Sequence, residues 1–252
     1  MARRVPQGPP PPPAVQRIRI RYAKRGRLRF SSHRDFARAF ERALRRAEAP
    51  MAFSAGFSPH QKISYLGAAP TGVASEAEYL EIALSRAVDP DALRAALDAA
   101  LPPGLDIVEA VESAGAPIAA LLQASCWRLE FPGVDPARLS EAIAAFLAAP
   151  EAPVERATKD GRRTLDARGP VVSASCQPGD GGSCAIMQLV VRQMIPAVRP
   201  DDVLAALRAV AGFVPQLPPR VTRVAYGPLD EAGRVGDPLA ADRTAAGASP
   251  TT

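Results

Sequence analysis

Both histidines of the 252-residue chain fall between residues 24 and 65, in KRGRLRFSSHRDFARAFERALRRAEAPMAFSAGFSPHQKISY. His33 falls in the first turn of a basic helix, where exposed amides and the positive end of the helix dipole favour an anion. His60 follows Pro59 in a loop, with Ser58 and Lys62 close in sequence. An imidazole among Lys and Arg side chains can take the 2′-hydroxyl proton of RNA while the cations stabilise the crowded phosphate, which is metal-independent ribonuclease chemistry. The same residues can hold a phosphate without cutting it, or serve as structural hydrogen-bonding groups. Nothing in the spacing brings either histidine to a proton it would abstract, so no residue is assigned as catalytic and no ribonuclease activity is expected of the chain alone.

Other reactive groups are sparse. Cys126, Cys176 and Cys184 are the three cysteines, without CxxC spacing and far in sequence from the histidines. A structural zinc site takes four ligands, so neither a metal site nor a cofactor is expected. The chain also lacks a CxxxCxxC triplet and so cannot hold a radical SAM iron-sulfur cluster in that three-cysteine arrangement.

Charge points more clearly. The formal net charge is +5, yet residues 1–65 carry 15 Lys or Arg against 3 Asp or Glu, a local +12 against −7 for the remainder. Such a division favours an anionic partner for the N-terminal part, either nucleic acid or an acidic protein, against the plainer reading of a solvated arginine-rich surface. Within the helix expected over 33–48, Phe36, Phe40, Ala43 and Leu44 share one face at 100° per residue, and Arg34, Arg38, Arg42 and Arg45 share the other. The apolar face serves the core, and the arginine face is left for partners.

The elements that must position these groups follow from periodicity. RIRIRY at 17–22 alternates strictly, a half-buried strand whose polar side sets Arg17, Arg19 and Arg21 in a row that needs solvent or an anion. RLRF at 27–30 continues as extended chain. Ser31 or Ser32 caps the helix, with Asp35 completing a near capping box after Ser32. Strands at 61–67 and 78–85, a helix at 91–101 opened by Asp89 and Pro90, and a strand at 105–112 complete a βαββαβ unit over 16–113. The pattern recurs over 125–228: a strand at 126–131, a helix at 136–149, extended segments near 153–158, 170–176 and 184–193, a helix at 200–212 and a strand at 220–226. The expectation is an α+β protein of two tandem ferredoxin-like domains. QPGDGGS at 177–183 lacks the GxxxxGK[ST] spacing of a phosphate loop and reads as a hairpin turn.

Residues 1–15, with their proline run, and residues 229–252, which lose periodicity, are expected to be disordered tails. No apolar run approaches a membrane span or a signal peptide, so the chain is expected to be soluble and cytoplasmic. Aromatic residues that could stack on bases are few, which argues against a sequence-reading sheet of the RRM kind despite the similar fold.

Lys24, Gly26, Arg29, Phe30, Ser32, His33 and Asp35, then FERALRRA at 40–47, Ser54, GFSPH at 56–60, KIS at 62–64, and Glu78 and Tyr79, resemble the radical SAM-linked family of uncharacterised bacterial proteins. The likeness is dense over about 17–113, and TLDAR at 164–168 is similar to a family LDxR segment. Arg34 and Gln61 depart from the family pattern. The resemblance implies a companion of a radical SAM protein of the cobalamin-binding type, encoded near a ribonuclease of the E/G type. Taken with the charge, it marks Lys24, Arg29, Ser32, His33, Arg38, Arg42, Arg45, Ser58, His60 and Lys62 as the candidate surface for RNA or a protein partner.

Overall fold

The alternating RIRIRY motif forms strand β1 (Gln16–Lys24), with Ile18, Ile20 and Tyr22 buried on one side. The computed structural model describes residues 12–158, 161–179 and 184–247 of the chain. Its two compact units are residues 1–116 together with 239–252, and residues 117–238. Most of the N-terminal stretch expected to be disordered lies outside the described residues.

In the first unit β1 is followed by α1 (His33–Arg46), β2 (Ile63–Leu66), β3 (Ala74–Leu84), α2 (Pro90–Ala100) and β4 (Leu105–Glu112). The sheet order is β4-β1-β3-β2, and each neighbouring pair is antiparallel. Phe36, Phe40 and Leu44 of α1 and Leu93 and Leu97 of α2 pack on the apolar side of β1. The Tyr22 and Phe36 rings stack with centroids 4.0 Å apart, an aromatic pair at the centre of this core.

Two sequence expectations need correction here. RLRF is not extended: Gly26–Phe30 is a short 3-10 helix. Gly26 takes a φ of 54° and turns the chain, after which Ser31 N–H donates to the Leu28 carbonyl. The arginine row on β1 does not wait for an external anion. Arg17 pairs with Glu81 at 2.9 Å, Arg21 lies 3.9 Å from Glu109, and Arg19 reaches both Glu81 and Asp242. The chain neutralises its own row because cross-strand partners bring carboxylates opposite the arginines.

Asp242 belongs to a third correction. Residues 229–252 were expected to be disordered, yet they contain α6 (Ala240–Gly247), which packs on the first unit beside β4. Its anchor is polar. Asp242 accepts two bonds from Arg19, at 3.0 and 2.7 Å, and a third from Ala114 N–H, while Arg243 pairs with Glu109 at 2.6 Å. An anchor made of charges leaves no apolar periodicity to read.

The second unit runs α3 (Ile118–Leu121), β5 (Ala124–Pro132), α4 (Pro136–Ala148), β6 (Pro153–Thr158), β7 (Gly161–Asp166), β8 (Val171–Pro178), β9 (Cys184–Arg192), α5 (Pro200–Ala211) and β10 (Arg220–Gly227). Its sheet order is β10-β5-β9-β8, and among the described residues β6 and β7 form a separate two-stranded ribbon. The second half therefore inserts a hairpin into the element order expected of it. β7 escaped notice because Leu165 is the one buried side chain of GRRTLD. Proline opens α2, α4 and α5, and Asp89 and Asp135 cap the first two through their side chains. The expected turn at 177–183 lies partly outside the described residues. β8 and β9 pair up to Pro178 and Ala185 on either side of it.

The TLDAR segment is structural. Leu165 is buried, and Arg168 donates to the Leu147 and Val171 carbonyls. Asp166 accepts from the N–H groups of Ala152, Arg168 and Gly169. Partial burial alone would raise its carboxyl pKa, but these three donors outweigh that and hold it below the ordinary carboxylate value. A depressed folded-state pKa contributes stability that is full above the unfolded value and is lost as pH falls through the folded one. Asp166→Ala should therefore destabilise by about 1–2 kcal/mol at neutral pH, three hydrogen bonds being discounted for exposure. The gap between variant and wild type should close in denaturant titrations carried to acid pH. A gap unchanged down to acid pH would mean that the carboxylate charge contributes nothing.

Candidate functional site

Helix α1 starts at a complete capping box. Ser32 Oγ accepts from Asp35 N–H, and the Asp35 carboxylate accepts from the Ser32 hydroxyl at 2.7 Å and from Ser32 N–H; the hydroxyl first, and then the amide, hold the Asp35 carboxyl pKa below its usual range. Ser32→Ala should cost about 1 kcal/mol, read as a shift of the urea midpoint with an unchanged m-value. Ser32 thus serves as the helix cap.

Residues four apart drift slowly around a helix, so His33, Ala37, Glu41 and Arg45 form a ridge along one side of α1. The loop 53–61 ends near the last of them. Phe53 and Gln61 form a bridge at its base, and Ser54 N–H donates to the His60 carbonyl at 2.9 Å. Ser54 Oγ lies 2.8 Å from His60 Nδ1 and also accepts from His60 N–H. One ring nitrogen is therefore engaged, and Nε2 is the one left for a ligand.

Between α1, this loop and β2 lies an open groove of about 490 Å³. Glu41 and Arg45 line it from the helix, Phe53, His60 and Gln61 from the loop, and Tyr65 from β2. Tyr65 Oη is buried and has no hydrogen-bond partner among the described residues. Burial, and then the nearby Glu41 carboxylate, push the phenol pKa well up, so it stays a neutral hydroxyl. His33 is not part of the lining. It meets the groove through Tyr65, standing edge-on to that ring at 5.0 Å between centroids.

The other candidates divide. Arg38 and Arg42 are exposed on α1, and Ser58 and Lys62 are exposed on or beside the loop. Lys24 is buried and donates to the Ala69 and Pro70 carbonyls at 3.3 and 3.4 Å, a structural role. Arg29 lies over the Phe30 ring at 4.7 Å. Glu41, Phe53 and Tyr65 escaped the sequence reading. The i,i+4 spacing of Glu41 and Arg45 was the available signal; nothing local tells that Phe53 and Tyr65 meet.

No cysteine is among the residues that line this groove. Cys126, Cys176 and Cys184 are free thiols, and burial pushes the Cys126 and Cys176 thiol pKa values up, with Asp135 adding to the effect at Cys176. Among the described residues no three His, Cys, Asp or Glu side chains gather as metal ligands would. No helix among them is long and apolar enough to cross a membrane.

A sequence family described as an uncharacterized protein conserved in bacteria, DUF2344, matches residues 17–200. The chain belongs to this family. The DUF2344 match takes in β1, α1, the groove and the TLDAR segment, and α6 lies beyond it. No curated protein matches the chain. Among solved structures, DyPB from Rhodococcus jostii RHA1 is 11% identical over 81% of this chain and 87% of that one, with a TM-score of 0.21. The encapsulated DyP-type peroxidase from Mycobacterium smegmatis is 9% identical over 87% and 94%, with a TM-score of 0.19. At such TM-scores the likeness carries no argument for this DUF2344 chain.

Proposed function

We propose that this DUF2344 protein is a non-catalytic companion of a radical SAM enzyme and engages RNA, or an RNA-processing complex, through the basic face of its N-terminal unit. The observation that carries the RNA part is the groove itself: Arg45 and His60 line a cavity on the helix that also exposes Arg38 and Arg42. The radical SAM partner, of the cobalamin-binding type, is supported by the family resemblance alone, dense over about 17–113, as is the neighbourhood of an E/G-type ribonuclease. The cytoplasm is the compartment this reading requires.

The ferredoxin-like reading of both units belongs to the same proposal. The orders β4-β1-β3-β2 and β10-β5-β9-β8 support it, with the β6–β7 ribbon as an insertion in the second unit.

Affinity purification of the full chain from native extract, with and without nuclease, tests the proposal. Co-purification of a radical SAM protein together with nuclease-sensitive RNA is the expected result; recovery of neither would overturn it. RNA cleavage by the purified chain, abolished in a folded His60→Ala variant, would replace it with the ribonuclease reading.

A further inference from the structure

The loop 53–61 exposes two aromatic rings beside the groove. Phe57 is 68% exposed near the loop tip, and Phe53, 41% exposed, forms part of the groove's lining. Burying such rings is worth far more than solvating them, so their exposure asks for a partner surface. The loop is nevertheless braced. The Phe53–Gln61 bridge and three Ser54–His60 bonds close its base, so ordering it on binding loses little entropy.

We propose that the groove and loop form a binding site for an unpaired nucleotide of single-stranded RNA. This rests on the RNA reading given above and names the form of RNA taken. Phe53 and Phe57 supply faces on which bases stack, since every base offers a π-face and stacking is tolerant of sequence. Arg45, with His60 Nε2, faces the phosphate, and Lys62 lies next to the loop for the neighbouring one. Gln61, Glu41 and the Tyr65 hydroxyl also line the groove; all three can accept from a base edge, and Gln61 and Tyr65 can donate to one. The cavity, about 490 Å³, falls in the size range of sites that hold one small organic ligand. A duplex keeps its bases stacked internally and offers the loop only backbone, so paired RNA would use the arginines without the rings. Charge fits either kind of partner, and the rings decide between them. An acidic protein would satisfy the arginines and the lysine, but exposed rings, cations and an edge-reading amide at one groove match the base face, the phosphate and the base edge of a nucleotide.

Labelled single-stranded RNA and a blunt-ended duplex of the same strand with its complement, titrated at several salt concentrations against four full-length chains, test this: wild type, Phe53→Ala/Phe57→Ala, Phe53→Tyr/Phe57→Tyr, and Arg38→Glu/Arg45→Glu. Both rings are exposed, so thermal melts should superimpose. The expected result is a preference of wild type for the single strand. That affinity should fall about tenfold or more in the alanine variant, as loss of one or two stacked bases implies, and return in the tyrosine variant. The salt slope should be unchanged by the alanines, because stacking releases no counterions. Equal affinity of wild type and the alanine variant for the single strand, with binding still weakened in the glutamate variant, would overturn the stacking site and leave the basic-face reading standing. Binding of neither RNA by wild type would overturn both. Poly-glutamate binding tighter than RNA, and weakened by the alanines, would assign the loop to an acidic protein and overturn the nucleotide site.

Discussion

Asp242→Ala should destabilise the first unit by about 3–5 kcal/mol, the range for removing one partner of a buried ion pair. Arg19 is 2% exposed and Asp242 1%, so the guanidinium has no solvent to turn to when the carboxylate is gone. Glu81 is a poor substitute, since it lies 3.3 Å from Nε and is also held by Arg17. Ala114 N–H loses its acceptor as well. The variant can limit its loss only by letting α6 peel away and admit water to Arg19, so hydrogen exchange in Ala240–Gly247 should approach that of unprotected chain. Replacing both partners, Arg19→Met with Asp242→Leu, should recover part of the stability, because two apolar side chains need no charge partner, while Ala114 N–H still lacks its acceptor. Urea unfolding of the two variants checks this; a loss under about 1 kcal/mol for Asp242→Ala, with α6 still protected, would show that the pair contributes little.

Reversing Arg38 and Arg45 to Glu should leave folding within about 0.5 kcal/mol of wild type, as is usual for exposed sites, yet lower RNA affinity by about tenfold to a hundredfold at low salt. Each phosphate contact releases close to one counterion, so the slope of log affinity against log salt should flatten by about two units. Arg45 is expected to contribute the larger share because it lines the groove, whereas Arg38 stands outside the lining. The single reversals rank the two. Equal affinities and slopes for wild type and the double variant would mean that these arginines are merely solvated.

The elements around β1 and α1 were legible from sequence because each declares itself locally. RIRIRY has period two and one apolar face, and the helix after Ser32 carries its cap, its apolar stripe and its arginines within a few turns. Prolines and aspartates mark the starts of α2 and α4 in the same way. Where local pattern failed, the deciding partner was distant or polar. RLRF alternates as a strand does, but Arg25 is pinned by Glu76 and Asp106 and Gly26 turns the chain into a short helix. β7 has little apolar face to display.

The sequence by itself determined the two units' main elements, the exposed arginine side of α1 and the concentration of positive charge before residue 66, all of which depend on residues close together in the chain. Only the tertiary structure decided that Asp242 neutralises Arg19 from 223 residues away, and that Phe53, His60 and Tyr65 line one groove with Glu41 and Arg45. Burial of a charge and closure of a cavity are properties of what surrounds a residue in space, and neither leaves a period in the chain.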